Sequence, residues 1–459
     1  MKENILVFSS TATGYNHLKV EKGCEDASDF YMDDKMRICV VADGHGSDNY
    51  PRTDRGSEYA VEAAIECIVD FVNTANSVDV LTDEKNHYTL MLQLVTSILR
   101  IWHEKIDADY KKNPFTEQEL EKVTDKYKQR YLSSNENERK VEKAYGCTLI
   151  AFVCTDEYSF GLQIGDGKCV LVDKEGNFSE PIPWDENCQM NVTTSICDGD
   201  ARDEFRFFVT NRMPVAVFCG SDGIDDSYAS SEELYALYRS ILKIFIEHGS
   251  EVGMSEIKDY LPNLSRRGSG DDVSVALILD MNRLKILADI LDKQGELFAI
   301  DNELREKKHQ IDVMNERKNQ TEGQYRKWVN LGRPKVDTKP SYVLNDLAAA
   351  IDKMECELED IVKRRKVIAD AIQDELFDIE QESFEAVKVS EENGADSLES
   401  EIPENTENIE GVPISVAENK ISIVEQQEMI TKKALDEIAG EYLSIASEDD
   451  KVEDSTEEA

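Results

Sequence analysis

Over the first 280 of 459 residues, short apolar runs alternate with turn dipeptides. Residues 4–9, 36–42, 147–154, 158–164, 168–173, 214–219 and 273–279 are rich in Val, Ile, Phe and Cys and predict strands. Asp43-Gly44, Asp166-Gly167 and Asp222-Gly223 punctuate them. Between the second and third strands the period lengthens, predicting helices at about 53–73, 87–109 and 116–131. The first of these carries Ala60, Ala63, Ala64, Cys67, Ile68 and Phe71 on one face. Strands in two blocks around a helical stretch predict an α+β fold rather than alternating βαβ units.

From Met281 the pattern becomes that of long helices. Ile290, Leu297, Leu304 and Ile311 recur every seven residues, with Ile300 and Met314 three positions on. Leu344, Ile351, Leu358, Ile372 and Ile379 form a second run, with Leu347, Met354, Ile361 and Ile368 between them. The link from Gly332-Arg333-Pro334 to Lys339-Pro340 separates the two. Residues 281–383 therefore read as an antiparallel helical hairpin or coiled coil. It either packs its seams on itself or serves as a docking or homodimerisation arm. Lys293 and Lys307 interrupt the first seam.

Residues 381–459 hold 23 acidic and 5 basic residues, with Phe384 and Tyr442 the only aromatics. So little apolar surface predicts a largely disordered acidic tail from 384 onward. An exception is 421–446, where Ile423, Ile430, Leu435, Ile438 and Leu443 could form a short amphipathic helix on a partner. The whole chain carries 52 Lys and Arg against 95 Asp and Glu, a net charge of −43. That excess argues against nucleic acid and anionic membrane surfaces as partners. No stretch approaches the roughly 20 apolar residues of a membrane span. Ten cysteines without a CxxC pair read as free thiols in a reducing, cytoplasmic setting.

Candidate chemistry lies in four acidic motifs at the ends of apolar runs. They are Glu25-Asp26, Asp43-Gly44-His45-Gly46, Asp222-Gly223 and Asp271-Asp272. Singly, an Asp-Gly pair is an ordinary turn. Gathered together, such carboxylates need cations between them, and an all-oxygen donor set suits Mg²⁺ or Mn²⁺ better than zinc.

These motifs resemble those of the metal-dependent serine/threonine protein phosphatases of type 2C. The matching pieces are Cys24-Glu25-Asp26-Ala27, Val41 to Ser47, Tyr145-Gly146-Cys147-Thr148-Leu149, Gln163 to Gly167, Asn191 to Ser195, Ser221-Asp222-Gly223 and Gly268 to Asp272. They stand in family order over residues 9–280 and look most like the bacterial branch. The resemblance implies a β-sandwich of two antiparallel sheets flanked by helices, making 1–280 the catalytic domain. It implies hydrolysis of phosphoserine and phosphothreonine in proteins by a metal-bridging water, with two Mn²⁺ or Mg²⁺ ions and the option of a third. Asp43 would bridge the metals and Gly44 would lend its carbonyl to one of them. Asp26 would serve the metal on the Gly44 side, Asp222 and Asp271 the other, and Asp166 the third. Glu25, Thr148 and Asp272 would stand behind the ligands. His45 would be the general acid, unless it only hydrogen-bonds a ligating carboxylate. The expected partner is a phosphorylated protein, with a serine/threonine kinase or its targets among the candidates.

Two positions depart from the family pattern. The arginine that animal members place four residues before the glutamate is Glu21 here, so the phosphate-binding group is open, with His17, Lys19 and Lys22 as candidates. Asp272 stands where many members have asparagine. The alternative to an active enzyme is a pseudophosphatase that uses the fold and the helical arm as a binding module.

Overall fold

The computed structural model describes residues 4–74, 80, 84–135, 139–188, 192–333 and 340–395. Among these residues, ten strands build two five-stranded antiparallel sheets. One has the order β1-β10-β9-β6-β7, from Ile5–Ala12, Val273–Asp280, Ala216–Gly220, Lys168–Val172 and Phe178–Ser179. The other has the order β2-β3-β4-β5-β8, from Ala27–Met32, Met36–Ala42, Leu149–Thr155, Ser159–Ile164 and Arg206–Thr210.

The sheets stack, and helices cover both outer faces. That explains why the central strands are unbroken apolar runs rather than alternating ones. In β3, Met36, Ile38, Val40 and Ala42 face the helical layer, while Cys39 and Val41 enter the core between the sheets. In β10, Val275, Leu277 and Leu279 face the other helical layer, while Ala276 and Ile278 point inward. All cysteines among the described residues are free.

The helices, in chain order, are α1 (Tyr15–Lys19), α2 (Thr53–Thr74), α3 (Glu84–Lys112), α4 (Glu117–Leu120), α5 (Asp125–Tyr131), α6 (Ala201–Glu204), α7 (Asp222–Asp225), α8 (Ser231–Arg267), α9 (Met281–Ile286), α10 (Ala288–Asn330) and α11 (Pro340–Ala395). Helices α2 and α3 pack on the β3 sheet, with Trp102 Nε1 donating to the Gly56 carbonyl at 3.0 Å. The predicted helix at 116–131 is two short ones, α4 and α5. Helix α8, which the sequence reading missed, covers the β10 sheet and is broken at Gly249, whose φ is +81°. Its start has a plain signal, since the Ser230 hydroxyl accepts the Glu233 N–H.

The long C-terminal helices are antiparallel. Ion pairs join Lys293 to Glu375, Asp301 to Arg365, Glu303 to Arg364 and Lys307 to Glu357. Lys293 and Lys307 thus occupy seam positions by pairing across the hairpin. Its base shares the core of the β10 sheet: Ile290, Leu291 and Ile372 are buried with Phe218, Leu277 and Leu279. The change at residue 280 is therefore one of element type, not of core.

The chain divides into two units, Met1–Val387 and Lys388–Ala459. In the second, helical residues are described as far as Ala395, and the 421–446 segment lies outside the described residues. No helix among the described residues is long and apolar enough to cross a membrane.

Candidate active site

Strand register brings the acidic motifs to one end of the sandwich. Ala27 pairs with Ala42, which sets Asp26 beside Asp43. Gly220 pairs with both Val275 and Lys168, which sets Asp222 near Asp271-Asp272 and near Asp166. Leu149 pairs with Ile164, which sets Thr148 beside Gly165.

The Asp43 loop leaves a fully buried strand and is held by its main chain. Thr148 N–H donates to the Asp43 carbonyl at 2.7 Å, and the Thr148 hydroxyl accepts the Asp43 N–H at 3.1 Å. Gly44 bridges to Cys147, and His45 N–H donates to the Gly146 carbonyl at 3.2 Å. Position 44 has no room for a side chain: a Cβ there would stand 2.4 Å from the Glu25 carbonyl and 2.6 Å from Thr53 Oγ1. The Ser57 hydroxyl ties down that same Glu25 carbonyl at 2.6 Å.

Asp272, buried at the head of β10, organises the opposite side. Its carboxylate accepts the N–H groups of Gly14 at 2.5 Å and Glu25 at 2.6 Å, and His17 Nδ1 lies 3.0 Å away. The two main-chain donors take one carboxylate oxygen each, a pairing that an asparagine, with a single acceptor oxygen, could not satisfy. Asp271, next to it, is 59% exposed and faces the site.

Electrostatics gather four of the predicted residues. Burial first, then the charges of Asp26, Asp222 and Asp271, raise the Asp43 pKa well above the carboxylate range. Asp43 and Asp222 stand close enough to act on each other's protonation, the Asp222 charge raising Asp43. Burial also raises Asp26, which the Ser221 and Ser274 hydroxyls partly offset. Its Oδ2 is buried without a hydrogen-bond partner. Glu25 is pushed up to about 7 by burial, against the pull of Lys22, whose Nζ lies 2.7 Å from Glu25 Oε2. Among the described residues, no group of three or more His, Cys, Asp and Glu side chains is arranged to hold a metal ion. The donor set nonetheless fits hard divalent cations: clustered carboxylates, one with an orphaned oxygen, are stable as anions only with positive charge between them.

Asp166 joins from the side. Burial raises its pKa, the Thr193 hydroxyl opposes this, and its charge acts on Asp222. Thr194 holds the adjoining turn, its hydroxyl accepting Gly165 N–H at 3.0 Å and donating to Asp185 at 2.7 Å. Asn191 of the same motif lies outside the described residues. The sequence reading missed Asp226, whose charge acts on Asp166 and Asp222, and the hydroxyls of Ser221 and Ser274. The Asp222-Gly223-Ile224-Asp225-Asp226 run was the available signal, one helical turn from Asp222 to Asp226.

The remaining candidates part company. Lys22 also donates to the Gly46 carbonyl at 2.9 Å, which places it at the rim of the Asp43 loop. Lys19 bonds Asn16 and lies over the Tyr15 ring. The His45 ring packs edge-on to Tyr50, 4.7 Å between centroids. Burial lowers its pKa to about 4, and the charges acting on it are those of Asp198 and Lys143, not those of the carboxylate cluster.

Comparison with solved structures finds similar bacterial phosphatases. Serine/threonine phosphatase Stp1 from Staphylococcus aureus is 13% identical, over 60% of this chain and 94% of that one, with a TM-score of 0.38. The catalytic domain of the serine threonine protein phosphatase PstP, solved with two manganese ions, is 15% identical, over 60% and 97%, with a TM-score of 0.36. PppA of Pseudomonas aeruginosa is 16% identical, over 60% and 98%, with a TM-score of 0.36. No curated protein sequence matches the chain. The family model for Protein phosphatase 2C matches residues 13–261, which hold Glu25-Asp26, the Asp43 loop, the Asp166 turn and Asp222 and stop short of Asp271. Since that match spans more than half of the 459 residues, the chain belongs to the protein phosphatase 2C family.

Proposed function

We propose that this protein hydrolyses phosphoserine and phosphothreonine in proteins, with divalent cations held by Asp26, Asp43, the Gly44 carbonyl, Asp222 and Asp271. The observation that carries this reading is the strand register that gathers Asp26, Asp43, Asp222 and Asp271 at one end of the sandwich, near enough for the other three charges to raise Asp43. Asp166, with Asp226 beside it, is the candidate for a third ion. Cations in such a cluster supply neutralisation of phosphoryl charge and acidification of water.

The chain's own residues bind and orient. Thr148 fixes the main chain of Asp43, and glycine at 44 lets that loop lie against Glu25. The Ser221 and Ser274 hydroxyls favour the charged form of Asp26. A cleft of about 410 Å³, lined by Lys22, Glu25, Ser47, Asp48 and Tyr50 among others, opens beside the loop. Lys22 there is the ammonium placed to meet a phosphate where the family's arginine is replaced by Glu21.

The test is hydrolysis of phosphoserine and phosphothreonine peptides with Mn²⁺ and under chelation. Turnover should require Mn²⁺ or Mg²⁺ and should vanish in Asp222→Asn. Undiminished turnover in that variant would overturn the cation assignment. A folded, Mn²⁺-loaded protein without phosphatase activity would favour the binding-module reading.

A further inference from the structure

We propose that the distal end of the helical hairpin, the C-terminal part of α10, is a docking surface for an extended acidic polypeptide segment of another protein. The surface stands whether or not the chain is a phosphatase, because it rests on a local reversal of charge.

In a chain of net charge −43, residues 317–333 hold five basic side chains, Arg317, Lys318, Arg326, Lys327 and Arg333, against one acid, Glu322. The four ion pairs across the hairpin lie nearer its base, joining 293–307 of α10 to 357–375 of α11. Their antiparallel register continues to set 317–325 opposite 341–349, a stretch with no Lys or Arg and the single acid Asp346. Among the described residues, none of the five cations forms an ion pair, and all but the half-buried Lys318 are exposed. Helix α10 runs about 40 Å from Ile290, in the core of the β10 sheet, to Arg317. That is several Debye lengths of about 8 Å at physiological ionic strength, so the acidic body does not cancel the positive end. Beside the cations stand the Tyr325 and Trp328 rings, 6.0 Å between centroids, and Leu331, 76% exposed. The placement of the charges selects among polyanions. At about 100° per residue, Arg317, Lys318, Arg326 and Lys327 stand near 0°, 100°, 180° and 280° around α10. A nucleic acid asks for a basic stripe along one face, and a helix in a membrane interface asks for cations on one face and apolar groups on the other. A flexible acidic segment can wrap the helix end and meet several sides at once.

Fluorescence anisotropy of the full-length protein with a labelled, unstructured peptide of glutamate with interspersed leucine tests this. Binding should weaken as salt rises and fall on the order of 10-fold in the triple variant Arg317→Glu, Arg326→Glu, Lys327→Glu. The double variant Lys308→Glu, Lys366→Glu, in the part of the arm that carries the ion pairs, should bind as wild type does. Photocrosslinks from the bound peptide to the wild-type chain should fall within 317–333, a measurement that needs no variant to fold. No binding by wild type at low salt, full binding by a folded triple variant, an equal loss in the double variant, or crosslinks elsewhere would overturn the docking surface. Tighter binding to a single-stranded oligonucleotide or to phosphatidylserine vesicles at matched salt would overturn it in favour of a nucleic acid or a membrane.

Discussion

Thr148 grips both main-chain groups of Asp43, its N–H donating to the Asp43 carbonyl and its hydroxyl accepting the Asp43 N–H. The carboxylate at the centre of the site is therefore aimed by a residue on the neighbouring strand. Thr148→Val keeps the shape and the main-chain bond but removes the acceptor from the Asp43 N–H. It should cost about 1–2 kcal/mol of stability and weaken Mn²⁺ binding, while Thr148→Ser should restore both. Thermal melts and calorimetry of the two variants check this, and identical behaviour of Val and wild type would mean that the hydroxyl has no part in aiming Asp43.

Gly44→Ala should separate folding from function. A methyl at 44 would meet the Glu25 carbonyl at 2.4 Å, so the loop must move away from Glu25-Asp26. Displacing a positioned ligand by about an ångström is expected to lower turnover on the order of 100-fold. Circular dichroism should remain that of wild type. Full turnover in the alanine variant would show that the close approach of the loop to Glu25 is dispensable.

His45 offers a test by leaving group. With its pKa lowered to about 4 by burial and its ring against Tyr50, it is neutral at pH 7, and the charges acting on it are those of Asp198 and Lys143. His45→Ala should then slow an aryl phosphate and a phosphoserine peptide by similar factors, through loss of loop packing. A loss confined to the phosphoserine peptide, whose alkoxide must be protonated as it leaves, would restore His45 as the proton donor.

Away from the site, Arg52 is 2% exposed and bonds Glu119, Asp109 and the Tyr145 hydroxyl. Despite some burial, the Arg52 hydrogen bonds and those of Thr116 lower Glu119 to about 2. A carboxyl with a depressed folded pKa contributes stability that is complete above its unfolded value, about 4.3, and is lost as the pH falls toward 2. Glu119→Gln should cost about 2 kcal/mol at pH 7, less than a fully buried pair because Glu119 is partly exposed and Arg52 keeps Asp109. The variant's deficit should shrink between pH 4 and 2 in urea titrations; a pH-independent deficit would assign the effect to packing.

The strands that escaped the sequence are informative as a group. β2, β7 and β8 are all edge strands, and Ala-Ser-Asp-Phe-Tyr-Met in β2 lacks the apolar run of a strand covered on both faces. Central strands such as β3 and β4 read clearly because two layers bury them completely. The motif carboxylates were legible for a similar local reason, each following or preceding a central strand. The contact between His17 and Asp272 was not, because it depends on the pairing of β1 with β10, more than 250 residues apart in sequence. The seam lysines became intelligible only with the opposing glutamates in place.

The helical arm should respond differently along its length. Ile351 and Ile361 are buried along α11 outside the core of the β10 sheet, whereas Ile372 is buried within it. An Asp at 351 buries an unpaired charge within the arm and should melt its outer part, at several kcal/mol, without changing small-substrate turnover. An Asp at 372 should lower the melting temperature of the catalytic unit as well. Leu358, only half-buried and beside the Lys307–Glu357 pair, should tolerate Asp better than either. A chain ended at Asp280 loses Leu284, Leu287, Ile290 and Leu291 from the core they share with Leu277 and Leu279. Although the sequence sets 1–280 as the catalytic domain, this fragment should be destabilised and prone to associate through the uncovered face. Melting curves and sedimentation decide it, and a monomeric 1–280 fragment with the melting temperature of the full chain would show that the arm contributes nothing to the sandwich.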